Sequence, residues 1–136
     1  MTTQMVVITE RDMTRLQRLI DSARQQWRDQ SLLDRLEGEL TRAKVVSGKR
    51  VPADVVTMNS RVRVTDLDNG KESIYQIVFP RDANTSKNMI SVLAPIGTAL
   101  LGFRIGSKIE WETPGGIRRL RIDAIEYQPE AAGAVA

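Results

Sequence analysis

The spacing of apolar residues changes once along this chain, and that change limits the fold more than any other feature. Met13, Leu16, Ile20, Ala23 and Trp27 follow one another at steps of three and four, a heptad seam that Leu19 widens. Leu33, Leu36, Leu40 and Ala43 repeat the pattern, with Leu32 beside them. After Pro52 the period becomes two. Val62 and Val64 lie on one face of a strand, and Ile109, Trp111 and Thr113 alternate with Glu110 and Glu112. Side chains recur on one face at 3.5 residues in helices and at two in strands. The chain is therefore expected to be α+β. Residues 1–48 form a short antiparallel helical hairpin of coiled-coil type. Residues 51–130 form an antiparallel β domain with one short helix, and residues 131–136 are a flexible tail.

Capping residues set the helix limits. Residues 5–8 are a short β-prone run, and Thr9 then reads as an N-cap. Glu10 and Asp12 occupy the first turn, where the helix dipole favours anions. A first helix from about residue 10 to about residue 28 is roughly 28 Å long at ~1.5 Å per residue. Ser31 reads as the cap of the second helix, and Gly48, after Val45-Val46-Ser47, as its stop. Gly38 weakens the second pattern slightly. The break near residues 28–30 is short enough to fold the helices back on each other. Two to three heptads are marginal alone, so the seam either projects as a prong or packs on the rest of the protein.

The second part is punctuated by turns. Asp68-Asn69-Gly70 carries the Asn-Gly hairpin signal. The return strand, with Ile74, Gln76 and Val78 against Tyr75, Ile77 and Phe79, stops at Pro80. Residues 81–88 are a polar loop and residues 89–93 a short strand. Pro95 opens a short helix whose buried face is Ala99-Leu100-Leu101, and Gly102 ends it. Gly106-Ser107 and Pro114-Gly115-Gly116 are turns. The last strand, residues 117–127, turns Leu120 and Ile122 inward and changes register before Ile125 and Tyr127. From Pro129 the chain is small, neutral apart from Glu130, and expected to be disordered.

Composition narrows the chemistry. There is no cysteine and no histidine among the 136 residues. Disulfides, thiolate metal sites and cysteine nucleophiles are excluded, and the commonest general base and zinc ligand are missing. We expect no enzyme, no cofactor and no metal. No apolar run approaches the ~18 residues that span a bilayer. Met1-Thr2-Thr3-Gln4 has neither the basic nor the apolar segment of a signal peptide, so the expected location is the cytoplasm, away from membranes. The formal charge is +3, from 20 basic and 17 acidic residues, so the pI of 9.6 overstates the basicity. Basic groups do cluster at Lys49-Arg50, at Arg61 and Arg63, and at Arg118-Arg119 with Arg121. They are either solvated faces or the rim of a contact.

Residues 52–133 also carry a family resemblance. Pro52-Ala53-Asp54-Val55-Val56-Thr57-Met58-Asn59-Ser60-Arg61-Val62 resembles the start of the C-terminal domain of the Rnk family, regulators of nucleoside diphosphate kinase. Ala94-Pro95-Ile96-Gly97-Thr98-Ala99-Leu100-Leu101-Gly102 with Ile105-Gly106 is similar as well. So are Trp111-Glu112 with Pro114-Gly115-Gly116, and Glu126-Tyr127-Gln128-Pro129-Glu130-Ala131-Ala132-Gly133. The same domain is similar to the C-terminal domain of the bacterial Gre transcript-cleavage factors, whose fold resembles the FKBP type. The resemblance implies an FKBP-like β domain and a protein that binds the rim of the RNA polymerase secondary channel. It implies a coiled coil too short to reach the active site, and competition with the Gre factors without transcript cleavage. The family's name adds nucleoside diphosphate kinase as a second partner, affected by contact or through gene expression. DNA binding would follow from the family alone.

The resemblance also points to residues. The Gre segment that helps bind polymerase around a Ser-Pro pair corresponds to Leu93-Ala94-Pro95-Ile96. Pro95 is retained, whereas Ala94 replaces the serine and Leu93 a polar residue, so the place carries over more readily than its hydrogen bonds. An exposed Leu93 and Ile96 would make an apolar docking patch; the other reading is that both are core or helix-capping residues. Arg61, Arg63 and Arg119 are candidates for a basic rim against acidic polymerase surface. Asp29 lies at the hairpin tip with Asp34 a turn later; tips are also charged for solubility, and two carboxylates are a weak cation site. A prolyl-isomerase reading rests on fold analogy alone. Nucleic-acid binding needs a basic face interleaved with stacking aromatics, and here the two do not interleave, so no sequence-specific nucleic-acid partner is expected.

Overall fold

The computed structural model describes residues 6–134. Our readings of residues 1–4 and of Met5, and the last two residues of the expected tail, lie outside the described residues. Strand β1 (Val7–Thr9) leads directly into helix α1 (Glu10–Arg24). The Thr9 hydroxyl accepts a hydrogen bond from the Asp12 N–H at 3.1 Å, which satisfies a donor the helix itself leaves free. Helix α2 (Ser31–Arg42) follows after a six-residue link, and strand β2 (Lys44–Val46) comes next. β1 and β2 pair in parallel, Val7 opposite Lys44 and Thr9 opposite Val46. The start of α1 and the end of α2 are thereby held together at one end. No described helix is long and apolar enough to cross a membrane.

Three local expectations are corrected. α1 stops at Arg24, so Trp27 lies in the link and is 38% exposed, off the seam. Ser31 is the first helical residue, not the cap; Gln30 holds the N-cap position without a side-chain bond, and the carboxylate of Asp29 before it accepts the Ser31 N–H at 2.9 Å. α2 ends at Arg42 rather than running toward Gly48. Ala43 turns extended, and the β-branched pair Val45-Val46 enters a strand, where branched side chains are less crowded.

The second sheet contains β3 (Arg61–Asp66), β4 (Glu72–Val78), β5 (Met89–Ser91), β6 (Lys108–Thr113) and β7 (Gly116–Tyr127), in the order β5-β4-β3-β7-β6. The β3–β4 turn has Gly70 at φ +75°, a conformation glycine adopts freely. All pairs are antiparallel except β4–β5, which corrects the all-antiparallel expectation. Two 3₁₀ turns, Pro80–Asp82 and Thr85–Lys87, carry the chain back so that β5 runs alongside β4. Register shifts between β3 and β7 at Arg61/Val62 and Arg63/Val64 mark bulges, which increase twist and curl the sheet. Helix α3 (Pro95–Leu100) packs against β6 and β5. Gly97 is required there, because a Cβ would lie 2.3 Å from the Ser91 carbonyl oxygen.

One apolar core joins the two parts. Leu16, Ile20, Leu33 and Leu36 are fully buried in the same cluster as Met58, Val92, Leu100 and Ile122. The helical seam therefore packs on the β part. Asp12, 4% exposed, links the two: its carboxylate accepts the Met58 N–H at 3.1 Å. Burial pushes the Asp12 carboxyl up to about 6, against the downward pull of the Met58 N–H. The chain beyond Pro129 is anchored through residue 134, not disordered as expected. The Gln128 amide donates to the Pro52 and Val55 carbonyls, both at 2.8 Å, and Glu130 accepts from the Thr57 hydroxyl at 2.7 Å. Ala132 and Ala134 donate to the carbonyls of Gln128 and Pro129.

Candidate docking site

Proline at the first helical position fixes the start of α3, and the buried Thr98 hydroxyl ties the helix down by donating to the Val92 carbonyl at 2.5 Å. This sets the residues of the Leu93-Ala94-Pro95-Ile96 segment at different depths. Leu93 is 3% exposed and belongs to the core, so it offers no surface. Ala94, Pro95 and Ile96 are half-buried. Pro95 and Ile96 form one wall of a cleft of about 470 Å³. Its apolar lining is completed by Val64, Tyr75, Trp111 and Leu120 from four strands. On the other side of Pro95 and Trp111 lies a second cleft of about 260 Å³, lined by Thr98, Ala99, Phe103 and Ile109, with Arg35 and Glu39 of α2 at its edge. Pro95 and Trp111 thus divide two hollows.

The polar rim of the larger cleft is built on Asp66. Its carboxylate accepts the N–H groups of Asp68 and Asn69 and pairs with Arg118. The Asp68 N–H first, and Arg118 second, hold this carboxyl below the usual range. Arg118 stands opposite Trp111 in the β6–β7 ladder, which brings it to the cleft. Its neighbour Arg119 stands opposite Glu110 and pairs there with Asp68 at 3.4 Å and Glu110 at 3.9 Å. Arg63 pairs with Glu126 at 2.6 Å. Arg61 borders a separate hollow with Ile74, Gln76 and Lys87. None of the three arginines singled out in the sequence lines the cleft at Pro95. Arg118, Tyr75 and Trp111 do; in the sequence Arg118 stands out only as part of the basic group with Arg119 and Arg121, and Trp111 only by its inward alternation.

At the far end of the helix pair, the two acidic residues are already engaged. Asp29 accepts the Ser31 N–H, which lowers its carboxyl from the ordinary value. Asp34 pairs with Arg24 at 2.9 Å, and Arg24 also binds Glu37 at 3.0 Å and the Gln30 side chain at 2.6 Å. The Gln30 amide in turn donates to the Arg24 and Trp27 carbonyls. The link is a closed network of local bonds. Among the described residues no group of three or more His, Cys, Asp or Glu is placed to hold a metal ion.

Comparison with known proteins places both parts of the chain. The family described as "Transcription elongation factor, GreA/GreB, C-term" matches residues 51–127, and "Rnk N-terminus" matches residues 5–46. The Escherichia coli protein named Regulator of nucleoside diphosphate kinase is 47% identical over 103 residues, 75% of this chain and 76% of that protein. Transcription elongation factor GreA of Syntrophus aciditrophicus is 37% identical over 71% of this chain but only 60% of its own length. Among solved structures, a GreA/GreB elongation factor from Nitrosomonas europaea superposes with a TM-score of 0.75 at 40% identity, covering 92% of this chain and 100% of that one. Gfh1, a GreA factor homologue of Thermus thermophilus, superposes with a TM-score of 0.50 at 26% identity, covering 91% and 100%.

Proposed function

The chain belongs to the Rnk family, with a C-terminal part of the GreA/GreB type, and on that premise we propose that it binds RNA polymerase without cutting RNA. Residues 51–130, an FKBP-type module in this reading, dock on the rim of the secondary channel. The α1–α2 pair, its seam packed on the β part, presents its link end to obstruct the entrance. The Pro95–Ile96 wall and Trp111 provide the apolar anchor of the contact, and the Asp66–Arg118 pair its polar edge. The protein competes with Gre factors for the same place. It acts in the cytoplasm as a regulator, not as an enzyme, and the FKBP-type likeness confers no isomerase activity.

One observation carries this reading. α1 has 15 residues, so it extends only about 23 Å from Thr9. Each tip carboxylate has a local partner, Asp29 a backbone N–H and Asp34 the Arg24 guanidinium. A helix pair this short, with its tip acids tied to neighbours in the link, obstructs the entrance and does not deliver a carboxylate deep into the channel.

The test is retention of core RNA polymerase by the purified protein at moderate salt, with displacement by added GreA. Ile96→Glu puts a charge on the apolar wall and is expected to weaken retention at least about tenfold. Stalled elongation complexes are expected to show no shortened transcripts. Failure of the wild-type protein to retain polymerase removes the proposal. The name of the Escherichia coli relative supports a second reading, direct contact with nucleoside diphosphate kinase. That reading predicts altered turnover when the two purified proteins are mixed.

A further inference from the structure

Arg11, Arg15 and Arg18 lie at intervals of four and three on α1 and so share a face. Arg15 is stacked on the Phe79 ring, 4.3 Å from its centroid. Arg81, whose side chain is 84% exposed, enters the same neighbourhood from the turn after β4. Arg15, Arg18 and Arg81 surround a hollow of about 520 Å³ whose floor is Leu19, Phe79 and Pro80. Arg11 and Arg18 have no ion-pair partner among the described residues. The nearby acids are few. Asp12 is buried, accepts the Met58 N–H and lies 4.0 Å from Arg15, Asp82 sits 3.9 Å from Arg81, and Asp21 lies a turn beyond Arg18 on α1.

From this arrangement we infer that the α1–Arg81 hollow is a docking surface for an acidic, aliphatic segment of a partner protein. An aliphatic side chain fits the floor at Leu19 and Pro80, and carboxylates on either side meet guanidinium forks, which grip carboxylates through two parallel hydrogen bonds. Nucleic acid is the poorer fit. Strand binding uses open aromatic faces for base stacking. The one aromatic here, Phe79, is 9% exposed, and its ring is covered by Arg15. None of the six lining residues borders the Pro95 cleft, so this surface stands whether or not that cleft binds polymerase.

Fluorescence anisotropy of the full chain tests the inference with three probes. The first is a labelled peptide with leucine at every fourth position and glutamates between. The second is its glutamine counterpart, and the third a single-stranded RNA of equal charge. The acidic peptide is expected to bind in a salt-sensitive manner and the other two more weakly. Arg18→Glu with Arg81→Glu reverses charge at two exposed side chains outside the core, so folding, checked by circular dichroism, is retained. This pair should weaken the acidic peptide at least about tenfold. Arg28→Glu with Lys44→Glu removes the same charge elsewhere and should change binding less than about twofold. The inference is overturned if both double variants lose binding equally, if reversal at Arg18 and Arg81 has no effect, or if RNA binds more tightly than the acidic peptide.

Discussion

Replacing Asp12 by asparagine should make the stability of this protein respond differently to pH. Asp12 is 4% exposed where α1 meets the β part, and burial raises its carboxyl from 3.8 to about 6. The folded state therefore holds the proton more tightly than the unfolded chain. The stability this adds is fully present below about pH 4 and is lost as pH rises through about 6. Over the whole range the loss is about 3 kcal/mol, since each pKa unit is worth about 1.4 kcal/mol. About 2 kcal/mol of it falls between about pH 4.5 and about pH 7.5. Asparagine has no such titration and keeps an oxygen for the Met58 N–H. With an unfolding entropy scaled to 136 residues, the melting temperature of the variant should gain about 7 °C on the wild type across that interval. Other carboxylates, such as Asp66 and Asp123, titrate alike in both proteins and cancel in the difference. Differential scanning calorimetry at the two pH values measures it. A gap that stays constant with pH, or a carboxyl NMR titration of Asp12 with its midpoint near 4, refutes the reasoning.

Gly97→Ala forces a methyl group to within 2.3 Å of the Ser91 carbonyl oxygen, so α3 must shift. The expected cost is about 1–3 kcal/mol, seen as a lower urea midpoint, and an unchanged midpoint would contradict the close approach. Thr98→Val keeps the shape but leaves the buried Val92 carbonyl without its hydroxyl donor. A loss of about 1–3 kcal/mol is expected in the same measurement. Arg24→Ala frees Asp34, Glu37 and Gln30 together. Amide exchange in residues 25–31 should quicken while the melting temperature hardly moves, because the network is exposed and local.

Features set by neighbours in sequence were legible. The seam of Leu16, Ile20, Leu33, Leu36 and Leu40, the Thr9 cap, the Asn-Gly turn and the proline start of α3 all follow from local spacing. Features set by distant partners were not. Lys44–Val46 becomes a strand only because Val7–Thr9 lies beside it. Met89–Ser91 runs parallel to β4 because of how two 3₁₀ turns route the chain. The seam stops short of Trp27 because the Gln30 amide takes the Arg24 and Trp27 carbonyls into a non-helical link. At the candidate site, Pro95 and Ile96 came from a resemblance, whereas Tyr75 and Trp111 reach them only through folding of the sheet. Local spacing leaves Leu93 open to either a docking or a core reading, and the fold turns it inward.

The parallel pairing of Val7–Thr9 with Lys44–Val46 has a further consequence. The polypeptide departs for the helix pair and comes home at a single doorway. Whole turns added at the link end of both helices lengthen the pair and leave the packed seam and the sheet as they were. One heptad in each arm extends the span by about 10 Å. Reach and grip can therefore diverge separately in evolution, one by insertion above the threshold and the other by substitution beneath it.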